Sequence, residues 1–334
     1  MQAQQHPLVK PRFSTVIIFF LTVVIVWIAL YYVIPENSEN AIPSVFAQNI
    51  ESNFMLSPLL LVIISLLLTL LNAYLIYGLN NRFAIIRTRT FLPVFVYLLL
   101  MTVWFHSHYF VYEYFALTML LLSIFVSFSM YHNRNAPEQA FAGTLILSIG
   151  SLLITPLVLF VPINWIIFVR YKCFSLRNFA ASLIGLLLPW GFYFFISYYF
   201  LSDTLWVQQF TKPFLIDIEF AAHPTIEIVY ITLLILLYIA GHCSMLRAMR
   251  NDSLQIRAKL DIIFYYGIAA FVFAIVFSGQ HYVFLPFIAF SFSFLFSHPI
   301  TLTYSKFTKL LFIVFTVLNL LYLAIRVYLE NISS

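Results

Sequence analysis

The sequence predicts an all-α fold, a polytopic bundle of about eleven transmembrane segments, and three observations predict it. Of 334 residues, 63% are hydrophobic and 9% charged, against about 25% charged in a soluble domain that must cover itself with polar surface. The apolar residues fall into successive runs near the length of about 20 that crosses some 30 Å of hydrocarbon. Once those runs are laid out, the basic residues collect on one side of them. Residues 1–334 therefore read as a single integral membrane domain.

The first run, Phe13 to Ile34, follows Lys10 and Arg12 and ends at Pro35-Glu36-Asn37. At 22 residues it exceeds the apolar stretch of about 7 to 15 in a cleaved signal peptide, so it reads as a retained anchor. Met55 to Gly78, Phe91 to Phe105 and Phe115 to Tyr131 follow, with His106-Ser107-His108 as the turn between the last two. Ala140 to Val169 is 30 residues long, too long for one simple helix, and Thr155-Pro156 lies at its middle, where proline breaks the hydrogen-bond ladder. The remaining spans are Phe179 to Leu201, Thr225 to Met245, Ile262 to Phe277, Val283 to Phe296 and Leu310 to Tyr328.

Charge decides how residues 140–170 run. If they form a hairpin, 15 of the 17 basic residues lie on one face, leaving only Lys212 and Arg326 opposite; a single crossing would send nine of them to the far side. The positive-inside rule then puts the N-terminus in the cytoplasm and the C-terminus in the periplasm of an inner (plasma) membrane. Nine of the twelve acidic residues fall on the outer face, together with His106, His108, His223 and His281. The nearest approach to a metal constellation is His106, His108 and Glu113 at one outer turn with Asp217, Glu219 and His223 at another. Carboxylates suit magnesium or manganese and imidazoles suit zinc. Carboxylates that merely solvate outer loops would leave the same tally.

No span carries Asp, Glu, Lys or Arg at its centre, which disfavours ion-coupled transport, where a costly buried charge is the coupling device. Asn72, Asn164 and Asn319 read as hydrogen-bonding links between helices. The 38 Phe and 21 Tyr read chiefly as packing and interfacial belts. Cys173 and Cys243 lie on the basic side, where a reducing compartment keeps them as thiols. There is no phosphate-binding glycine loop, Cys-x-x-Cys pair, nucleophile elbow or nucleic-acid motif. The net charge of +5 reflects anchoring beside anionic lipid.

Arg87-Thr-Arg-Thr-Phe-Leu-Pro93, Phe141-Ala-Gly143, Ser151-Leu-Leu-Ile-Thr-Pro156, Phe174-Ser-Leu-Arg177 and Gly185-Leu-Leu-Leu-Pro189 carry a resemblance. Over Arg87 to Asp203 the chain resembles an uncharacterised family of multi-pass inner-membrane proteins from the Bacteroidetes. That family in turn is similar to multi-pass glycosyltransferases that use polyprenyl-phosphate sugars, in its many-span bundle, short hairpin and acidic first outer loop. The second resemblance implies Glu36 or Glu39 as catalytic base, Lys212 and Arg326 as contacts for the lipid phosphate, and a divalent cation held by outer carboxylates. Residues 35–54 contain glutamates and no aspartate, and the outer face has few cations, both departures from that pattern.

Three functions fit these readings. The first is a non-enzymatic subunit or scaffold in envelope biogenesis, whose partners are the bilayer and other envelope proteins. The second is sugar transfer from a polyprenyl-phosphate lipid at the periplasmic face. The third is an uncoupled carrier of lipid or polyprenol.

Overall fold

The structure, a computed structural model, describes residues 13–32, 57–104, 108–109, 111–200, 225–303 and 305–333. They form eleven α-helices joined by short 3-10 turns, with no strand among the described residues. The helices are α1 (Phe13–Tyr31), α2 (Pro58–Phe83), α3 (Leu92–Val103), α4 (Val111–Phe128), α5 (Pro137–Leu153) and α6 (Val161–Arg170). Then come α7 (Leu176–Phe200), α8 (Thr225–Ala248), α9 (Leu254–Val276), α10 (Leu285–Leu302) and α11 (Lys306–Ser333). Seven of them are long and apolar enough to cross a membrane, and three further stretches, Val16–Tyr31, Leu92–Val103 and Thr155–Arg170, are apolar but shorter.

Proline places several helix starts. Pro58, Pro93, Pro137 and Pro286 occupy first turns, where a missing N–H removes no intrahelical bond. Ser253 caps α9 by accepting from the N–H of Ile256 at 3.4 Å. Some helices outrun the apolar stretches that predict them. α9 begins at Leu254, eight residues before Ile262, because the charged side chains of its first turns all find partners: Arg257 on backbone carbonyls, Lys259 on the Phe83 carbonyl at 2.8 Å, and Asp261 on Arg170.

The hairpin is present. α5 ends at Leu153, Thr155–Phe160 turns the chain as a 3-10 segment with Pro156 in its first turn, and α6 runs back. Asn178 Nδ2 donates to the carbonyls of both Arg134, before α5, and Cys173, after α6, so the two limbs start and finish at one place. One turn further in, both limbs reach Ser182, Thr144 through its carbonyl and Trp165 through its hydroxyl. α5 is about 25 Å long, and the 3-10 segment with α6 about the same, a little under the hydrocarbon thickness.

The middle of the bundle is α10. It packs against α3, α4, α8, α9 and α11, and from Pro286 to Pro299 nearly every side chain is buried. Phe292 and Phe296 stack near Phe315 of α11 at 5.4 and 4.9 Å, and Phe287 stacks on Phe160 of the hairpin turn at 5.1 Å. Buried amides link the other helices as expected. Asn72 donates to the Tyr114 carbonyl and accepts from Thr118; Asn164 accepts from Tyr266 at 2.7 Å; Asn319 accepts from Tyr230 at 2.8 Å. Each such bond is worth about 0.6 kcal/mol in a bilayer. The peripheral helices turn apolar faces outward, for example Ile18 and Ile25 of α1, Leu187 and Phe192 of α7, and Leu310 and Leu321 of α11.

Candidate functional site

Connections 84–91, 129–136, 171–175 and 249–253 and the start of α11 lie at one end of the bundle, and they and the helix turns beside them hold 13 of the 14 described basic residues. At the opposite end α3 and α11 finish while α8 and α10 begin, and there the candidate site forms. Val103, Trp104, Tyr230 and Tyr322 make a buried cluster backed by Ile226, Leu285 and Leu318. The Tyr230 and Tyr322 rings stack at 3.8 Å, with Trp104 5.7 Å from Tyr230. Two charged residues enter this aromatic setting. Glu227, in the first turn of α8, is 1% exposed, and Arg326, near the end of α11, is 7% exposed. Glu227 lies one helical turn from Tyr230 on α8, and Arg326 one turn from Tyr322 on α11. The helix dipole favours Glu227 at an N-terminal turn.

A second group adjoins the first. His108 and Glu113 are buried, and the Trp27 ring of α1 lies 4.2 Å from the imidazole. The Ser65 hydroxyl donates to the His108 carbonyl. Tyr109 packs with Leu30, Leu323 and Val327, tying this turn to the segment of α11 that bears Arg326. Of the residues singled out in the sequence, the structure thus describes His108, Glu113 and Arg326 as buried at one end. Glu36, Glu39, His106, Lys212, Asp217, Glu219 and His223 lie outside the described residues. Among the described residues no three His, Cys, Asp or Glu side chains gather as a metal site would require.

Sequence reasoning treated Glu227 as an outer-face carboxylate, and only packing reveals it as an internal one. It also missed a junction at the basic end. Asp252 Oδ1 meets Arg87 Nε at 2.5 Å, while Oδ2 meets His298 Nε2 at 2.8 Å. The Asp252 and His298 side chains are fully buried. Nothing local signals this set, because its three members come from separate connections and helices. Cys173 and Cys243 are free thiols, the first buried and the second exposed. Burial raises the Cys173 pKa above its ordinary value. The neutral thiol is favoured by folding, a contribution fully present below the unfolded thiol pKa of about 8.5 and lost as pH rises through the higher folded value. Maleimide labelling of Cys173 in folded protein is expected to be slow at pH 7 and to accelerate beyond pH 9, where an exposed thiol has already levelled; equal rates for the folded and denatured chains at pH 7 would contradict this.

Described residues that are all helical, with seven such apolar helices among them, a filled centre and outward apolar faces, define a polytopic helical membrane protein. The chain belongs to a family described as a family of unknown function (DUF6427), whose profile covers residues 41–330 and so extends well past the stretch on which the sequence resemblance rested. No curated protein matches the chain, and no solved structure does.

Proposed function

We propose that the protein is one integral domain of the inner membrane, its basic end in the cytoplasm, acting as a subunit or scaffold in envelope assembly. The observation that supports this reading most is the filled centre of the bundle. α10 occupies the position where a carrier keeps its substrate path, and its Phe287, Phe290, Phe292, Phe294 and Phe296 are buried against neighbouring helices. Buried pairs such as Asn72 with Thr118, Asn164 with Tyr266 and Tyr238 with Ser291 bond helix to helix, as in a rigid framework.

Two experiments test it. A cysteine placed at Asn251 is expected to resist an impermeant reagent in intact cells, and cysteines at Ser38 and Ser334 to react; the reverse pattern would overturn the orientation. Affinity purification from native membranes in mild detergent is expected to yield stoichiometric membrane partners. Recovery of the chain alone with a polyprenyl-phosphate sugar would instead favour the transferase reading, which rests on the resemblance and is supported by the burial of Arg326 one turn from Tyr322 of the aromatic cluster at the opposite end. Under that reading Glu36→Gln or Glu39→Gln abolishes a glycan product without lowering membrane abundance, and unchanged glycans eliminate it.

A further inference from the structure

We propose that a groove at the basic end binds the phosphate group of a membrane amphiphile. The groove encloses about 330 Å³ between the end of α6, the connection after it and the first turns of α9. That volume is at the small end of ligand pockets and suits a head group rather than a whole lipid.

Its charge is one-sided. Arg170, Lys172 and Arg257 line it against a single carboxylate, Asp261. Arg257 is held in place by donating from Nε and a terminal nitrogen to the carbonyls of Asp252 and Arg250, at 2.9 and 2.6 Å. Two of its five N–H donors are thereby used. Arg170 is paired with Asp261, so this guanidinium is already oriented along the groove. A phosphate offers such a guanidinium the same two-oxygen geometry as a carboxylate and carries more charge.

The ends of two helices place residues at the groove. His132 and Lys172, on either side of the groove, adopt left-handed conformations with φ of 61° and 56°. At Lys172 this conformation closes α6, the Cys173 N–H returning to the Phe168 carbonyl at 2.9 Å, and the turn leaves Lys172 lining the groove.

The rim identifies the phosphate as part of an amphiphile. Leu254, itself a lining residue, is 77% exposed, and Val169, next to Arg170, and Phe174, two residues after Lys172, are also exposed. Apolar side chains standing open beside three cations fit the level where head groups meet acyl chains.

The test uses the full-length protein in mild detergent. Native mass spectrometry reads retention of dioleoyl phosphatidate against dioleoylglycerol, and calorimetric titration reads inorganic phosphate. One phosphatidate per chain is expected, with dioleoylglycerol lost. Lys172→Asn keeps a residue tolerant of the left-handed backbone and is expected to weaken phosphatidate binding about tenfold. Asp261→Asn removes the competing anion and is expected to strengthen it several-fold, a gain that damaged folding could not produce. Inorganic phosphate binding as tightly as phosphatidate would overturn the amphiphile assignment in favour of a free phosphate. Retention unaltered in both variants would overturn the site.

Discussion

Asp252→Ala is expected to destabilise the protein by about 2 kcal/mol, within the range for leaving a buried hydrogen-bonding group unpaired. Asp252 joins the turn after α8 to the loop after α2 through Arg87, and to α10 through His298. Its side chain and that of His298 have no exposure, whereas Arg87 is 41% exposed. The two limbs therefore weigh differently. Arg87 can turn to water, so its share is discounted as for a surface pair. His298 cannot, and without the carboxylate its Nε2 stays buried with the partner it has in the native state gone. Asp252→Asn keeps the shape and one acceptor and is expected to cost about half as much. Thermal unfolding in dodecyl maltoside, checked by a double cycle with His298→Ala, measures this. Additive losses in the cycle would mean that the two side chains do not act together.

This junction also marks where sequence reasoning ends. The hairpin at residues 140–170 is legible because it is a question of sides, and basic residues obey a topological rule that can be counted along the chain. The linking roles of Asn72, Asn164 and Asn319 are legible too, since an amide deep in an apolar run must find a partner on another helix. Which partner it finds is not legible. Asp252 and His298 are 46 positions apart with no periodic relation. Glu227 and Arg326 each sit at the end of an apolar run, where a solvated charge and a buried one leave the same pattern; only the arrival of Trp104, Tyr230 and Tyr322 around them separates the two cases. The catalytic candidates Glu36 and Glu39 fall outside the described residues, so their part in the proposed site still rests on resemblance.

A side chain at Gly185 is expected to separate α7 from α5. The pair forms a seam of small and hydroxylated residues, which the scarcity of glycine conceals because Ser and Thr serve in its place. Thr144 donates to the Ser182 carbonyl at 2.9 Å and Ser148 to the Leu186 carbonyl at 2.6 Å, while Trp190 Nε1 donates to Ser151 Oγ at 2.9 Å. A Cβ at Gly185 would lie 2.5 Å from the Phe141 carbonyl oxygen and 2.6 Å from Thr144 Oγ1. The first of these is backbone and cannot swing away. In a bilayer no hydrophobic penalty holds the helices together once close packing is lost, because lipid covers α7 as well as α5 does. Gly185→Ala is thus expected to cost about 2 kcal/mol and Gly185→Leu more, with loss of the three interhelical bonds. Gly191, six positions along the same helix, supplies the control: a Cβ there meets nothing within 4 Å. Gly191→Ala is expected to be neutral or to stabilise, since alanine favours helix over glycine by about 1 kcal/mol. Equal melting of the two alanine variants would show that α7 is not seated on α5 through Gly185, whereas selective loss in Gly185→Ala, together with faster proteolysis around α7, fixes the seam as the contact that holds this helix in the bundle.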